Sequence, residues 1–116
     1  MIKLTIPFPD QILNPNRIKH WAQKSPIKRA HRENCKKIAE SLGITLPNER
    51  VHLSLVFYPP ANRGDVDNFL SSCKSSLDGL ADGFGINDKN FRPITIDIAT
   101  KDKQNPRVEI TIYKSE

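Results

Sequence analysis

Four segments of this chain repeat an apolar side chain at every second position: Ile2, Leu4 and Ile6; Val51, Leu53, Leu55 and Phe57; Ile94, Ile96 and Ile98; and Val108, Ile110 and Ile112. A period of two belongs to an extended strand with one buried face. Between the first three of these segments the period changes to that of a helix. Cys35, Ile38, Ala39 and Leu42 recur at helical spacing, with Ser25-Pro26 as N-cap and first helical residue and Gly43 as the stop. Val66, Phe69, Leu70, Cys73, Leu77, Leu80 and Phe84 form the apolar arc of a second helix, expected from Asp67 to about Asp82 with Gly83 as its C-terminal stop and Gly79 weakening its last turn. The order β-α-β-α-β-β predicts an α+β fold, one mixed sheet of about four strands with two helices packed on one face. The last two strands, joined across Asp102 to Pro106, are expected to form a hairpin. The other sheet face would carry Thr5, Ser54, Tyr58, Thr95, Asp97, Glu109 and Thr111, which is polar enough for solvent.

With 116 residues the chain is expected to be one domain with one modest core, spanning 1–116. Cys35 and Cys73 stand on the apolar faces of different helices, without CxxC spacing, and read as buried thiols of an intracellular, cytoplasmic protein. Met1 to Ile6 alternates like a strand ended by Pro7 and Pro9, so no signal peptide is expected, and no apolar run approaches membrane-spanning length. The formal net charge of +5 is unevenly placed: residues 17–37 hold Arg17, Lys19, Lys24, Lys28, Arg29, Arg32, Lys36 and Lys37 against the single acid Glu33. Such a run is either a solvated helix face or a phosphate-binding surface. The loop before it carries Asn16, Arg17, Lys19 and His20 beside Trp21; cations interleaved with an aromatic suit a nucleic-acid backbone and an exposed base, and Trp21 equally suits a core anchor.

The acidic counterpart is Arg63-Gly64-Asp65-Val66-Asp67-Asn68, which follows a strand and opens a helix. Asp67 or Asn68 is a natural N-cap there, and a cap leaves Asp65 unexplained. At about 100° per residue, Asp67, Ser71, Lys74 and Asp78 share one narrow stripe beside the apolar arc. Carboxylates at short spacing suit a hard cation such as Mg²⁺, which keeps several waters and needs few protein ligands. Each residue also has a plain structural role: Asp67 as cap, Lys74 as i,i+4 partner of Asp78, and Asp88 as a turn residue in Asn87-Asp88.

The set Arg63-Gly64-Asp65-Val66-Asp67-Asn68, Lys74, Leu77-Asp78-Gly79-Leu80, Gly83-Phe84 and Asn87-Asp88 resembles the RusA family of Holliday-junction resolvases, and Pro7-Phe8-Pro9 and Asn16-Arg17 resemble its N-terminal segment. The resemblance implies a small homodimeric, Mg²⁺-dependent endodeoxyribonuclease, with Mn²⁺ as a substitute, that acts on four-way and branched DNA in recombination and repair and is often carried by phages and prophages. It further implies that Asp65, Asp67 and Asp88 are the metal-binding acids and that Lys74 is the catalytic lysine. The family's lysine follows the second Asp by about four residues and here by seven, a return to the same helical face roughly 4.5 Å further along the axis. The family is also strongly basic just before the first Asp, where this chain has Arg63 alone. DNA contacts are therefore expected from Asn16, Arg17, Lys19, Lys28, Arg29, Arg32, Lys36 and Arg63.

Among other readings, a haloacid-dehalogenase-like phosphatase needs its first Asp at a strand end, and six residues, Pro59 to Gly64, intervene here. An EF-hand is excluded by Leu70, which stands where that loop needs Gly. The remaining alternative is a non-catalytic DNA-binding protein that uses residues 17–37, in which the acids are structural. Asp88 lies beyond a helix roughly 23 Å long; it joins Asp65 only if the loop runs back alongside that helix, or else the third acid comes from a partner subunit.

Overall fold

The alternating segments become strands β1 (Ile2–Pro7), β2 (Val51–Tyr58), β3 (Phe91–Ile98) and β4 (Arg107–Lys114) of one mixed sheet with the order β1-β4-β2-β3. The computed structural model describes residues 1–14, 21–62 and 64–114, and only the backbone of residues 21 and 22. Asn16, Arg17, Lys19, His20, Arg63 and the side chain of Trp21 lie outside the described residues.

The expected hairpin does not form. β4 lies antiparallel between β1 and β2, while β3 runs parallel to β2 on the far edge. Burial explains the placement: Val108, Ile110 and Ile112 of β4 and Leu53, Leu55 and Phe57 of β2 are at most 1% exposed, whereas Ile94, Ile96 and Ile98 are only partly buried. The most completely apolar faces take the middle of the sheet, where helices cover them. The link from β3 to β4 therefore crosses the end of β2, held there by Ala99 N–H on the Phe57 carbonyl (2.9 Å) and Asp102 N–H on the Pro59 carbonyl (2.8 Å). Arg107 closes it, donating to Asp102 and Glu109 and lying 3.9 Å over the Tyr58 ring. Thr5, Thr95 and Asp97 on the outer face are exposed, as their polarity implies.

Three α-helices lie among the described residues, α1 (Trp21–Ser41), α2 (Val66–Ser72) and α3 (Lys74–Phe84), with short 3-10 turns at Gln11–Leu13 and Asp88–Asn90. α1 starts a turn earlier than Ser25-Pro26 implied and carries Pro26 inside it. Proline forfeits one backbone hydrogen bond, to the residue four earlier, and α1 continues through this local loss because it packs along α3. Gly43, at φ 65°, follows its end as expected.

Cys35 and Ala39 of α1 and Leu77, Leu80, Ala81 and Phe84 of α3 share one apolar cluster with the buried sheet face. Burial of each of Leu77, Leu80 and Phe84 contributes about 1.5–3 kcal/mol. Gly79 and Gly83 have a reason other than chain termination. A β-carbon at Gly79 would lie 2.2 Å from the Arg32 carbonyl oxygen, and one at Gly83 would lie 2.5 Å from the Ala39 β-carbon. The pair lets α1 approach the backbone of α3, which runs past Gly83 to Phe84; the left-handed stop is Gly85, at φ 76°. Both cysteines are buried free thiols. Burial pushes the Cys73 thiol up to about 12, so neither the spacing nor the environment suits reactivity.

Candidate functional site

The acidic loop is held by aromatic packing. Phe69, in the first turns of α2, lies edge-on to Phe8 with centroids 5.2 Å apart and stacks at 5.3 Å on Phe57 of β2. Gly64 sits at φ 97°, and a β-carbon there would come within 2.4 Å of the Phe69 ring. Glycine is thus required twice, by conformation and by space. Asp65 is the N-cap of α2, its Oδ1 accepting the Asn68 N–H at 3.3 Å. This corrects the expectation of Asp67 or Asn68 as cap: Asp67 lies in the first helical turn, exposed, where its charge complements the helix dipole.

The predicted single helix is interrupted at Cys73. Ser72 Oγ donates to the Asn68 carbonyl at 2.9 Å, a back-bond to residue i−4 of the kind that bends helices. Lys74 opens α3 directly after the interruption. Its Nζ donates at 2.7 Å to Asp78 Oδ1, the expected i,i+4 pair, and at 2.7 Å to Asp88 Oδ2. The loop after α3 therefore does run back alongside the helix and returns Asp88 to the lysine of its own chain. Asn48 holds that loop, accepting at Oδ1 from Asn87 N–H (3.3 Å) and Asn90 Nδ2 (2.7 Å), while Asn87 Oδ1 accepts the Lys89 N–H (3.0 Å). Hydrogen bonding to Lys74 holds the Asp88 carboxyl below the usual carboxylate range, and bonding to Asp78 and then Asp88 raises the Lys74 ammonium.

Lys74 separates two depressions. On one side a cavity of about 420 Å³ runs over Leu70, Leu77, Phe91 and Ile94 with Asp88 at its rim. On the other a groove of about 600 Å³ is walled by Lys24, Lys28, Arg29 and Arg32 of α1 and floored by Lys74 and Asp78. Three of the expected DNA-contact residues, Lys28, Arg29 and Arg32, thus share a groove with Lys74. Arg32 also has a structural partner, a two-point pair with Asp82 at 2.7 and 3.1 Å, which raises its guanidinium and lowers the Asp82 carboxyl. Lys36 lies outside the groove lining and within electrostatic reach of Asp82. Lys24 from the basic run and Asp78 from the polar stripe also line this groove, beyond the residues singled out for DNA or metal contact. The spacing Lys24, Lys28, Arg32 is a helical i,i+4 series, which a helix start at Ser25 concealed.

In chemistry the acids suit a hard divalent cation, because Asp65, Asp67 and Asp88 are exposed carboxylates. Among the described residues, no group of three or more His, Cys, Asp or Glu side chains is placed to hold a metal ion. Asp78 and Asp88 do converge, and the cation between them is the Lys74 ammonium.

The sequence model of the Endodeoxyribonuclease RusA family matches residues 13–113. A relative from Xylella fastidiosa (strain Temecula1 / ATCC 700964), titled an uncharacterized protein, is 38% identical over 96 residues, covering 78% of this chain and 63% of the relative. The chain thus spans less than two thirds of the length of that relative. No helix among the described residues is long and apolar enough to cross a membrane.

Proposed function

Since the chain belongs to the RusA endodeoxyribonuclease family, we propose that it is a divalent-cation-dependent endonuclease that hydrolyses phosphodiesters in four-way and other branched DNA during recombination and repair. The observation that carries this reading is the groove in which Lys24, Lys28 and Arg29 face Lys74 and Asp78. A phosphate backbone drawn in by the α1 cations comes to rest against the lysine that also holds Asp88.

In this reading Asp65, Asp67 and Asp88, which do not form a three-ligand group among the described residues, would be drawn together to hold Mg²⁺, with Mn²⁺ able to replace it. A divalent cation held by these acids would supply Lewis-acid activation of the attacking water and counter-charge for the leaving 3′ oxygen. Lys74 has three N–H donors, two of them committed to Asp78 and Asp88. The third is free to turn to a phosphate oxygen and to stabilise the charge that develops on it. The working unit is a homodimer, because a four-way junction has two-fold symmetry and paired cuts need two sites related by it. Asp88 acts in cis, as its bond to Lys74 of the same chain supports.

Incubating the protein with an end-labelled four-way junction tests this, with cleavage expected in Mg²⁺ and none in excess chelator. Asp65→Asn and Asp67→Asn are expected to lose cleavage and keep junction binding. Cleavage by either variant at near the original rate would remove these acids from the site. Equal binding with and without Mg²⁺ and no cut strand in either would favour the non-catalytic DNA-binding alternative, for which the ion pairs of Lys74 are simply structural. Sedimentation as a monomer, both alone and on the junction, would overturn the dimer.

A further inference from the structure

At the end of the sheet where β2 and β3 begin and β4 finishes, a shallow depression of about 310 Å³ is lined by Arg50, His52, Arg92, Pro93, Tyr113 and Lys114. Three of these six carry a permanent positive charge and none is acidic. Tyr113 is 43% exposed, unusual for so large a ring. It is paired across the β2–β4 ladder with His52, and their rings lie 5.2 Å apart at 32°. His52 is itself fixed by a 2.7 Å hydrogen bond to Thr95 Oγ1 on β3. The Tyr113 ring is therefore flanked by the His52 ring, which is braced from the neighbouring strand, and cations line the depression.

An aromatic face beside cations suits a nucleic-acid strand, the base lying on the ring and the flanking phosphates on the cations. Its position ties it to the acidic site. The turn carrying Asp88 runs straight into β3, and Arg92 is four residues beyond Asp88, at most about 14 Å of chain. The depression lies on the sheet face that carries Thr95, reached from Asp88 along the start of β3.

We propose that Arg92, Lys114 and Tyr113, flanked by His52, form a second DNA-contact surface that holds an unpaired nucleotide flanking the cleaved phosphodiester. It takes the base on Tyr113 and the neighbouring phosphates on Arg92 and Lys114. The inference rests on the proposed nuclease function for its position relative to the cut, while the binding it describes needs no catalysis. The surface is separate from the α1 groove, which grips backbone without offering, among its described lining, any aromatic side chain. The two surfaces divide the work: the groove anchors an arm of the DNA, and the sheet end captures a nucleotide that has left its stack.

Fluorescence anisotropy in chelator, with a labelled oligothymidylate and with a blunt duplex of equal length, separates this surface from the groove. Tyr113→Ala is expected to weaken oligothymidylate binding roughly ten-fold or more and to leave duplex affinity within about two-fold. Tyr113→Phe, which keeps the ring, should restore it. Arg92→Gln with Lys114→Gln is expected to lower the slope of log K against log salt for the single strand by about 1.4, two phosphates at ~0.7 each. Thermal unfolding of each variant must match that of the unsubstituted protein; for a variant that unfolds early, Tyr113→Phe and Lys114→Gln alone supply the comparison. Unchanged single-strand affinity in folded Tyr113→Ala, or an unchanged slope in the double variant, overturns the proposal. Since no metal is present, loss of junction cleavage elsewhere has no bearing on this outcome. A protein that binds single strands and cuts nothing would sink the nuclease reading and keep this one.

Discussion

Single residues set the geometry of the acidic site at a distance from its charges. Asn48 is the clearest case, because one amide oxygen receives both the Asn87 N–H and the Asn90 side-chain amide and so holds the turn that presents Asp88. Asn48→Ala removes both bonds and leaves the carboxylate chemistry untouched. Junction cleavage is expected to fall about ten-fold, with duplex affinity unchanged and partial rescue by Asn48→Asp, which keeps an acceptor at the same place. Equal cleavage by Asn48→Ala would mean that Lys74 alone orients Asp88. Gly64 acts in the same way on Asp65: its positive φ and the Phe69 ring above it leave no room for any other side chain.

Among the elements, the pairing of α1 with α3 decides where the basic wall stands relative to Lys74. Gly79 and Gly83 allow the two backbones to touch, and the close approach is what brings Lys28 and Arg29 over the floor of the groove. Gly79→Ala places a methyl group against the Arg32 carbonyl, which cannot move without moving α1. Thermal or urea unfolding is expected to show a loss of about 1–3 kcal/mol, with weaker duplex binding as the wall shifts. A gain in stability, as the better helix propensity of alanine alone would give, would show that the helices have slack. The broken second helix has its own consequence, for it lets Lys74 point to Asp78 and Asp88 from the first turn of α3.

For the whole molecule, the uneven distribution of a net charge of +5 matters more than its size. Lys24, Lys28 and Arg29 line the groove, while Arg32 is engaged by Asp82 and Lys36 lies outside the lining. Replacing Lys24, Lys28 and Arg29 with Gln is expected to flatten the dependence of log K on log salt for duplex DNA by up to about 2.7, three phosphates at ~0.9 each. Arg32→Gln with Lys36→Gln should change it by less than one. The reverse order would return the binding surface to the far side of α1. Sequence preference is expected to stay the same throughout, because phosphate contacts position without specifying.

Much of this architecture is legible in one dimension. Period-two apolar segments could only be half-buried strands, the two helical periods between them could only cover one sheet face, and the Gly64–Asn68 run could only sit at a strand-to-helix junction. Those are local matters, fixed by side-chain direction along a chain of known rise. The order of the strands is not local. Ile94–Ile98 and Val108–Ile112 look equivalent as strings, and the difference appears only when they compete for the covered middle of the sheet, where β4 wins and the hairpin is lost. The same holds for Gly79 and Gly83, which resemble helix breakers until a second backbone is laid against them. It holds equally for Asp88, ten residues past Asp78 and joined to it through one ammonium group. Contacts between distant segments depend on which faces are left after the core has closed, and no spacing along the chain records that.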